Sequence, residues 1–462
     1  MPVAANTNQT RAWQHADSKH HLHPFTKHPE LRAAGPRVIT HAEGVYVYDS
    51  EGHEMLDGMA GLWCVQLGYS NEALVQAGTE ALRTLPYYNA FFQTTNPYVA
   101  ELSELVSSLT PEGLDSLIFA NSGSEANDTA IKMIRYYWNL KSRPEKKAII
   151  TRDDAYHGVT LGAASMAGLK PLHPQFDLPL PGFHHIGPSP YWFGNGADLS
   201  PEAFTDVCVK ALEDKILELG ADNVAAFCGE PVMGAGGVRI PPPGYWPKIE
   251  AVCRKYDVLL WSDEVICGFG RTGAWFGCQT YGFQPDIMTI AKGLSSGYQP
   301  ISATILGGDI GPTIAESDQE MAHGYTYSGH PVAASVARAN VREMIRLDLV
   351  GEDGSKRAAC FQEAIATLND HPLVGEVRGI GFLGAVEIVA DKKTRARFPE
   401  DDSVGTQCRN FCVANGLISR AVGDTMVMSP PLIISEAEID ELVSKLRLSL
   451  DQTAQALTAE NS

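Results

Sequence analysis

The chain has 462 residues, 44% of them hydrophobic, which is enough for a large core and more than one domain. Thirty-six Lys and Arg against 55 Asp and Glu leave a net charge of −19, which argues against a nucleic-acid partner, because a phosphate backbone calls for a basic face. No apolar run is long enough to span a membrane, residues 1–23 lack the apolar stretch of a secretory signal, and nine scattered cysteines without a C-x-x-C suit reduced thiols, so a cytoplasmic location is expected.

In chain order, residues 44–49 and 54–57 read as a short β-hairpin. From about Gly61 short apolar runs alternate with amphipathic stretches. The runs predict strands at 116–120, 147–151, 224–229, 258–262, 287–291 and 301–306, with helices such as 124–139, 201–219 and 245–256 between them. That alternation implies an α/β fold whose mostly parallel sheet is covered on both faces. After Pro331 the pattern changes. Helices at 332–346 and 355–368 precede a strand-like run at 379–388, a helix at 404–415 and a final helix at 436–457. The expected division is a large domain over 61–329 and a smaller α+β domain over 330–462, joined by residues 1–60.

Three distant segments ask for one ligand. Asn121-Ser122-Gly123-Ser124-Glu125 is a small-residue turn opening a helix, whose unpaired first amides and dipole suit a phosphate. The 258–262 strand runs into Asp263, a carboxylate placed to keep a pyridine nitrogen protonated. The 287–291 strand runs into Lys292, at the edge where open α/β sheets bind ligands. Burial there lowers an amine pKa, and a neutral amine can attack an aldehyde. Phosphate cradle, ring acid and amine together are what pyridoxal 5′-phosphate needs. Taken singly, each has a plainer reading: a solvated loop lysine, a helix cap or ion-pair carboxylate, an ordinary serine cap. Val265 shares the face of Asp263 if the strand persists that far. Tyr156, after the 147–151 strand, offers a ring to stack on a planar cofactor or to fill the core.

Competing motifs are weaker. Gly268-Phe269-Gly270-Arg271-Thr272-Gly273 fits a dinucleotide fingerprint, but the residues after it have no clean helical period. Gly293-Leu294-Ser295-Ser296-Gly297 fits a hydrolase elbow, but Tyr298-Gln299-Pro300 blocks the helix that must follow. His15, His20, His21, His23 and His28 cluster near the N-terminus with no Cys or carboxylate spacing to complete a metal site, and Cys408 with Cys412 reads as one helix face, so no metal is expected.

Seven stretches resemble the class III, or omega, aminotransferases of pyridoxal-phosphate fold type I. They are DGMAGLWCVQLGY (57–69), NSGSEANDTA (121–130), AYHGV (155–159), GEPVMGAGG (229–237), WSDEVICGFGRTG (261–273), DIMTIAKG (286–293) and HGYTYSGHP (323–331), in the family's order. The resemblance implies a seven-stranded sheet where the pattern alone gives six. It implies that Lys292 carries the cofactor as a Schiff base, that Asp263 pairs with the pyridine nitrogen, and that Tyr156 and Val265 cover the two ring faces. Gly123 and Ser124 would hold the phosphate, and Thr326 would reach the phosphate of a neighbouring subunit's cofactor, in a homodimer or dimer of dimers. Glu230 would stand near cofactor and substrate. Phe25, Trp63 and Phe92 would line an aromatic amine pocket, and Arg420 would clamp a substrate carboxylate. The implied reaction moves an amino group from a primary amine to a keto acid, pyruvate foremost. An aminomutase, a decarboxylase or a non-catalytic member of the fold is the alternative.

Overall fold

The computed structural model describes residues 7–196 and 198–460. Near the N-terminus β1 (Ile39–Glu43), β2 (Tyr46–Asp49) and β3 (Glu54–Asp57) form an antiparallel meander. The expected hairpin therefore has a third strand. β1 was not legible because none of its residues is buried, so it shows no alternation.

The large sheet contains β4 (Ser116–Ala120), β5 (Ala148–Arg152), β6 (Phe183–Ile186), β7 (Val224–Gly229), β8 (Leu259–Asp263), β9 (Ile287–Ile290) and β10 (Ser302–Leu306). Their spatial order is β4-β10-β9-β8-β7-β5-β6. β10 runs antiparallel to β4 and β9, and every other neighbouring pair is parallel. β5, β7, β8, β9 and β10 are buried at every position, as a sheet with helices on both faces requires. β6 is the strand that the pattern missed. It lies at the sheet edge and places two half-buried histidines, His184 and His185, between Phe183 and Ile186.

The helix Gly123–Leu140 follows β4. It buries Ala126, Asn127, Ala130, Ile131, Ile134, Tyr137 and Trp138, a 3.6-residue stripe against the sheet. Its start is tied down locally. Ser122 Oγ accepts from the Glu125 amide at 3.2 Å, and Glu125 Oε2 accepts from the Asn121 amide at 2.7 Å.

The run at 379–388 is not one strand. It belongs to a hairpin of β11 (Val374–Ile380) and β12 (Leu383–Ile388). The chain reverses at Gly381, with φ 58°, where an added Cβ would sit 2.4 Å from the Arg271 carbonyl oxygen. The short β13 (Leu417–Ile418) pairs parallel with β3, so the N-terminal meander and the C-terminal part share one sheet. β14 (Arg420–Val422) and β15 (Thr425–Met428) complete the third sheet, in the order β11-β12-β15-β14. The topology brings the ends of β4, β7, β8 and β9 to one crevice.

Candidate active site

Lys292 stands just past β9, at the start of the single 3-10 turn Lys292–Leu294, with φ 41°. A side chain held there costs about 1–3 kcal/mol, so neighbours must fix the turn. Asn340 Nδ2 donates to the carbonyls of Gly293 at 2.8 Å and Leu294 at 3.0 Å. An added Cβ on Gly293 would lie 2.1 Å from Gln66 Nε2, so only glycine follows Lys292 without moving Gln66. Burial lowers the Lys292 pKa from its ordinary value, and the nearby Cys64, Asp263 and Glu230 oppose that shift only in part.

Asp263 is the last residue of β8 and is buried. Its Oδ2 accepts from His157 Nδ1 at 2.7 Å and from Asn127 Nδ2 at 2.9 Å, and its Oδ1 accepts from the Val265 amide at 3.1 Å. The strand ends here, so Val265 reaches the site by a turn and not by strand alternation. Its Cγ1 lies 2.9 Å from where a Cβ on Gly123 would be, which closes that wall of the crevice. Gly158, at φ 131°, gives the same closeness on another side, since a Cβ there would meet Ser124 Oγ at 2.5 Å. Ser124 Oγ also accepts from the Val159 amide at 3.1 Å.

Together these segments enclose a cavity of about 280 Å³. Gly123, Ser124, Tyr156, Glu230, Asp263, Val265 and Lys292 all line it. The donor set fits pyridoxal 5′-phosphate on the structure's own terms. A glycine-lined helix terminus suits the phosphate, a buried carboxylate suits the ring nitrogen, a half-buried amine suits the aldehyde, and Tyr156 and Val265 suit the ring faces.

Glu230 follows β7 and is 2% exposed. Its Oε1 accepts from the Tyr156 amide at 3.1 Å and its Oε2 from the Gly234 amide at 3.0 Å, while burial raises its pKa. Arg420, in β14, is half-buried. Burial lowers its pKa, and Tyr156 is the group close enough to oppose this. Phe25, Trp63, Phe92, Thr326 and Arg420 are not among the residues lining the cavity of this single chain. Phe25 and Phe92 are 76% and 89% exposed, at φ 49° and 56°. Trp63 is buried at φ 66°, in a hydrophobic cluster that also contains Met59 and Ile266 and is flanked by Val422. Thr326 is exposed, and its carbonyl accepts from the Tyr87 hydroxyl at 2.8 Å.

Cys64, Asn127 and His157 are among the cavity residues not singled out from sequence. Asn127 lies four residues after Gly123, on the same helix face, so the phosphate turn already pointed to it. His157 adjoins Tyr156, and its Nε2 is buried without a hydrogen-bond partner. Neither competing motif acquires its structure. Gly273 opens no helix, and only the five-residue helix Gly277–Tyr281 follows. Ser295 Oγ donates to the Gln299 carbonyl at 2.5 Å. Cys408 and Cys412 share the helix Val404–Ala414 and are buried. One expectation is corrected: the N-terminal histidines do have a carboxylate. Residues Thr7–His20 form a helix, which the polar sequence hid, and its spacing brings Asp17 to His21 and His23.

Comparison with known proteins gives the same picture. The profile of the aminotransferase class-III family matches residues 30–450. The putrescine–pyruvate aminotransferase of Pseudomonas aeruginosa is 52% identical over 451 residues, covering 98% of each chain. A mitochondrial gamma aminobutyrate transaminase of Solanum lycopersicum is 42% identical, covering 94% of this chain and 84% of its own. Among solved structures, the omega transaminase of Pseudomonas jessenii in complex with PMP superposes with a TM-score of 0.94 at 43% identity, covering 96% of this chain and 98% of that one. The fold, the seven-stranded sheet and the cofactor expected from sequence agree with these relatives. The chain belongs to the class-III aminotransferases, enzymes that use pyridoxal 5′-phosphate.

Proposed function

We propose that this enzyme transfers an amino group from a primary amine to pyruvate, the donor being a diamine such as putrescine, an aromatic amine or an omega-amino acid. The observation that carries the reading is the half-buried Lys292 amine lining one cavity with Asp263 and the Gly123 turn. The 52% identical putrescine–pyruvate aminotransferase supports the donor and acceptor classes.

Pyridoxal 5′-phosphate, when bound, supplies an aldehyde for the donor amine and a ring that draws electrons from the donor carbon. Gly123 and Ser124 hold the phosphate through the helix terminus. Asp263 keeps a proton at the ring nitrogen, and the hydrogen bonds from His157 and Asn127 fix its carboxylate plane. Tyr156 and Val265 hold the ring between them. Lys292 anchors the cofactor at rest. Once freed, its Nζ would take the proton from the donor carbon as a general base and deliver it, as a general acid, to the carbon that was the cofactor's aldehyde. The lowered pKa suits that work, because a fully protonated amine cannot accept a proton. Glu230 closes the cavity floor beside Tyr156.

Phe25, Trp63 and Phe92 form the amine pocket, and Arg420 meets the carboxylate of pyruvate in a bidentate pair. The active unit is a homodimer or dimer of dimers, with Thr326 reaching the partner's cofactor phosphate. Phe92 supports this reading: an aromatic ring 89% exposed on a positive-φ backbone suits burial against a second copy. Residues 61–329 form the cofactor domain, and 1–60 with 330–462 form the small one. The enzyme works in the cytoplasm, in keeping with nine free cysteines and with no helix among the described residues long and apolar enough to cross a membrane. Alanine formation from pyruvate with a panel of amines tests the proposal, and no alanine with any donor would sink it.

A further inference from the structure

We propose that Asp17, His21 and His23 form a binding site for a divalent transition-metal ion of the zinc type. Asp17 and His21 are four residues apart at the end of the helix Thr7–His20, so their side chains fall on one face. The chain then turns back, and the His23 ring lies 4.3 Å from the His21 ring, centroid to centroid. The planes are tilted by 40°, so the rings do not stack, and both direct a nitrogen at Asp17. His21 Nδ1 is 3.1 Å from Asp17 Oδ1, and His23 Nε2 is 2.7 Å from Asp17 Oδ2. One ligand atom from each residue lies within 4.8 Å of the other two.

Two imidazoles and one carboxylate are a borderline-soft set, suited to zinc, cobalt or nickel more than to calcium or magnesium. Tetrahedral bonds of about 2.0–2.1 Å place ligand atoms roughly 3.3 Å apart. The His21–Asp17 and His23–Asp17 contacts, at 3.1 and 2.7 Å, would open by about 0.2 and about 0.6 Å to reach that. The Asp17 and His23 side chains are 24% and 25% exposed and His21 is 60% exposed, which leaves an open side for a water as fourth ligand. The other His–carboxylate cluster among the described residues, Asp49–Glu51–His53, lacks this form. Asp49 Oδ1 there is taken by the amides of Glu51 and His53, at 2.9 and 3.0 Å, and only one imidazole is present. In contrast, both Asp17 oxygens meet imidazole nitrogens.

The position gives the ion a structural task. His23 is followed by Pro24, with its fixed φ, and then by Phe25 at φ 49°. Binding at His23 would pin the corner between the N-terminal helix and Phe25. The metal site stands on its own geometry and does not depend on the transaminase reading.

The test is a cobalt(II) titration of the holoenzyme, freed of unbound cofactor and held in a phosphate-free, non-chelating buffer. Visible ligand-field absorbance reports the ion. The expected result is saturation at one cobalt per chain, displaced by zinc, with no near-ultraviolet thiolate-to-cobalt band. Asp17→Asn, His21→Ala and His23→Ala should each weaken binding by more than the roughly 10-fold lower bound for loss of an outer-shell partner. His53→Ala should leave it unchanged. His21 is the most exposed ligand, so His21→Ala keeps the test valid if Asp17→Asn fails to fold. Absence of saturable binding, binding retained in His21→Ala, or a thiolate band would overturn the proposal. The first outcome would leave a hydrogen-bonded cluster in which Asp17 accepts from two imidazoles.

Discussion

His157 Nδ1 lies 2.7 Å from Asp263 Oδ2, with both side chains all but closed to solvent. Together with Asn127 Nδ2 at 2.9 Å, this contact sets the plane of the Asp263 carboxylate, the group proposed to face a pyridine nitrogen. On that proposal His157 is a positioning residue acting through Asp263. His157→Ala should keep the cofactor bound and slow proton transfer by about 10- to 150-fold, the range for losing a hydrogen bond to a charged group. A purely structural role would lower thermal stability without moving the cofactor's absorbance maximum or the pH profile of kcat. Both should shift here.

Asp263→Asn keeps the shape but removes the charge. Turnover should fall by at least ~100-fold, as for loss of a key electrostatic stabiliser. The fold, followed by circular dichroism, should be preserved. Near-full activity would assign Asp263 a structural role only.

Lys292 makes a prediction about stability against pH in the cofactor-free enzyme. Its folded-state pKa is depressed by burial, so between that value and the ordinary lysine value the unfolded chain binds more protons. Stability should therefore rise with pH through this window, and the burial penalty should be fully felt below it. Lys292→Met removes the penalty. The variant should gain most over wild type at the low-pH end and converge with it at high pH. Parallel urea denaturation curves across pH check this, and a constant difference would contradict it.

Much of this site was legible in the sequence, for reasons visible in the structure. β8 and β9 are buried at every position, so the runs ending at Asp263 and Lys292 stood out against their polar ends. Gly123 and Ser124 announce a helix start by composition alone. β6 failed because an edge strand with two histidines carries no apolar run. The β11–β12 hairpin failed because its turn glycine, Gly381, is one of four glycines in residues 374–388 and so did not stand out as a turn. The helix Thr7–His20 is polar along its length, which hid the spacing of Asp17 and His21. His157 and Asn127 were missed for a different reason. Both are buried polar residues that hydrogen-bond Asp263 across 106 and 136 residues; helix spacing places Asn127 beside the Gly123 turn, but no local pattern encodes either bond.

Arg420 should separate the two halves of the reaction. A carboxylate-free amine needs no guanidinium, whereas pyruvate does. Arg420→Ala should raise KM for pyruvate by roughly 10- to 150-fold, from about 1.5–3 kcal/mol of lost charged hydrogen bonding. KM for a simple amine should change far less. Equal damage to both would make Arg420 a structural residue.

Thr326 should act across a subunit boundary. Sedimentation should show a dimer or larger at working concentrations, and Thr326→Ala should weaken cofactor retention on dialysis. A monomer with full activity would contradict the shared site.

The most direct test uses the enzyme as a stoichiometric reagent. Holoenzyme is mixed with putrescine alone, the amine is removed by rapid desalting, and pyruvate is then added. Amine-to-pyruvate transfer predicts one aldehyde released in the first stage and one alanine in the second per active site. Lys292→Ala should give neither. Carbon dioxide release from an amino acid donor with no alanine formed, or alanine formed undiminished by Lys292→Ala, would contradict the account.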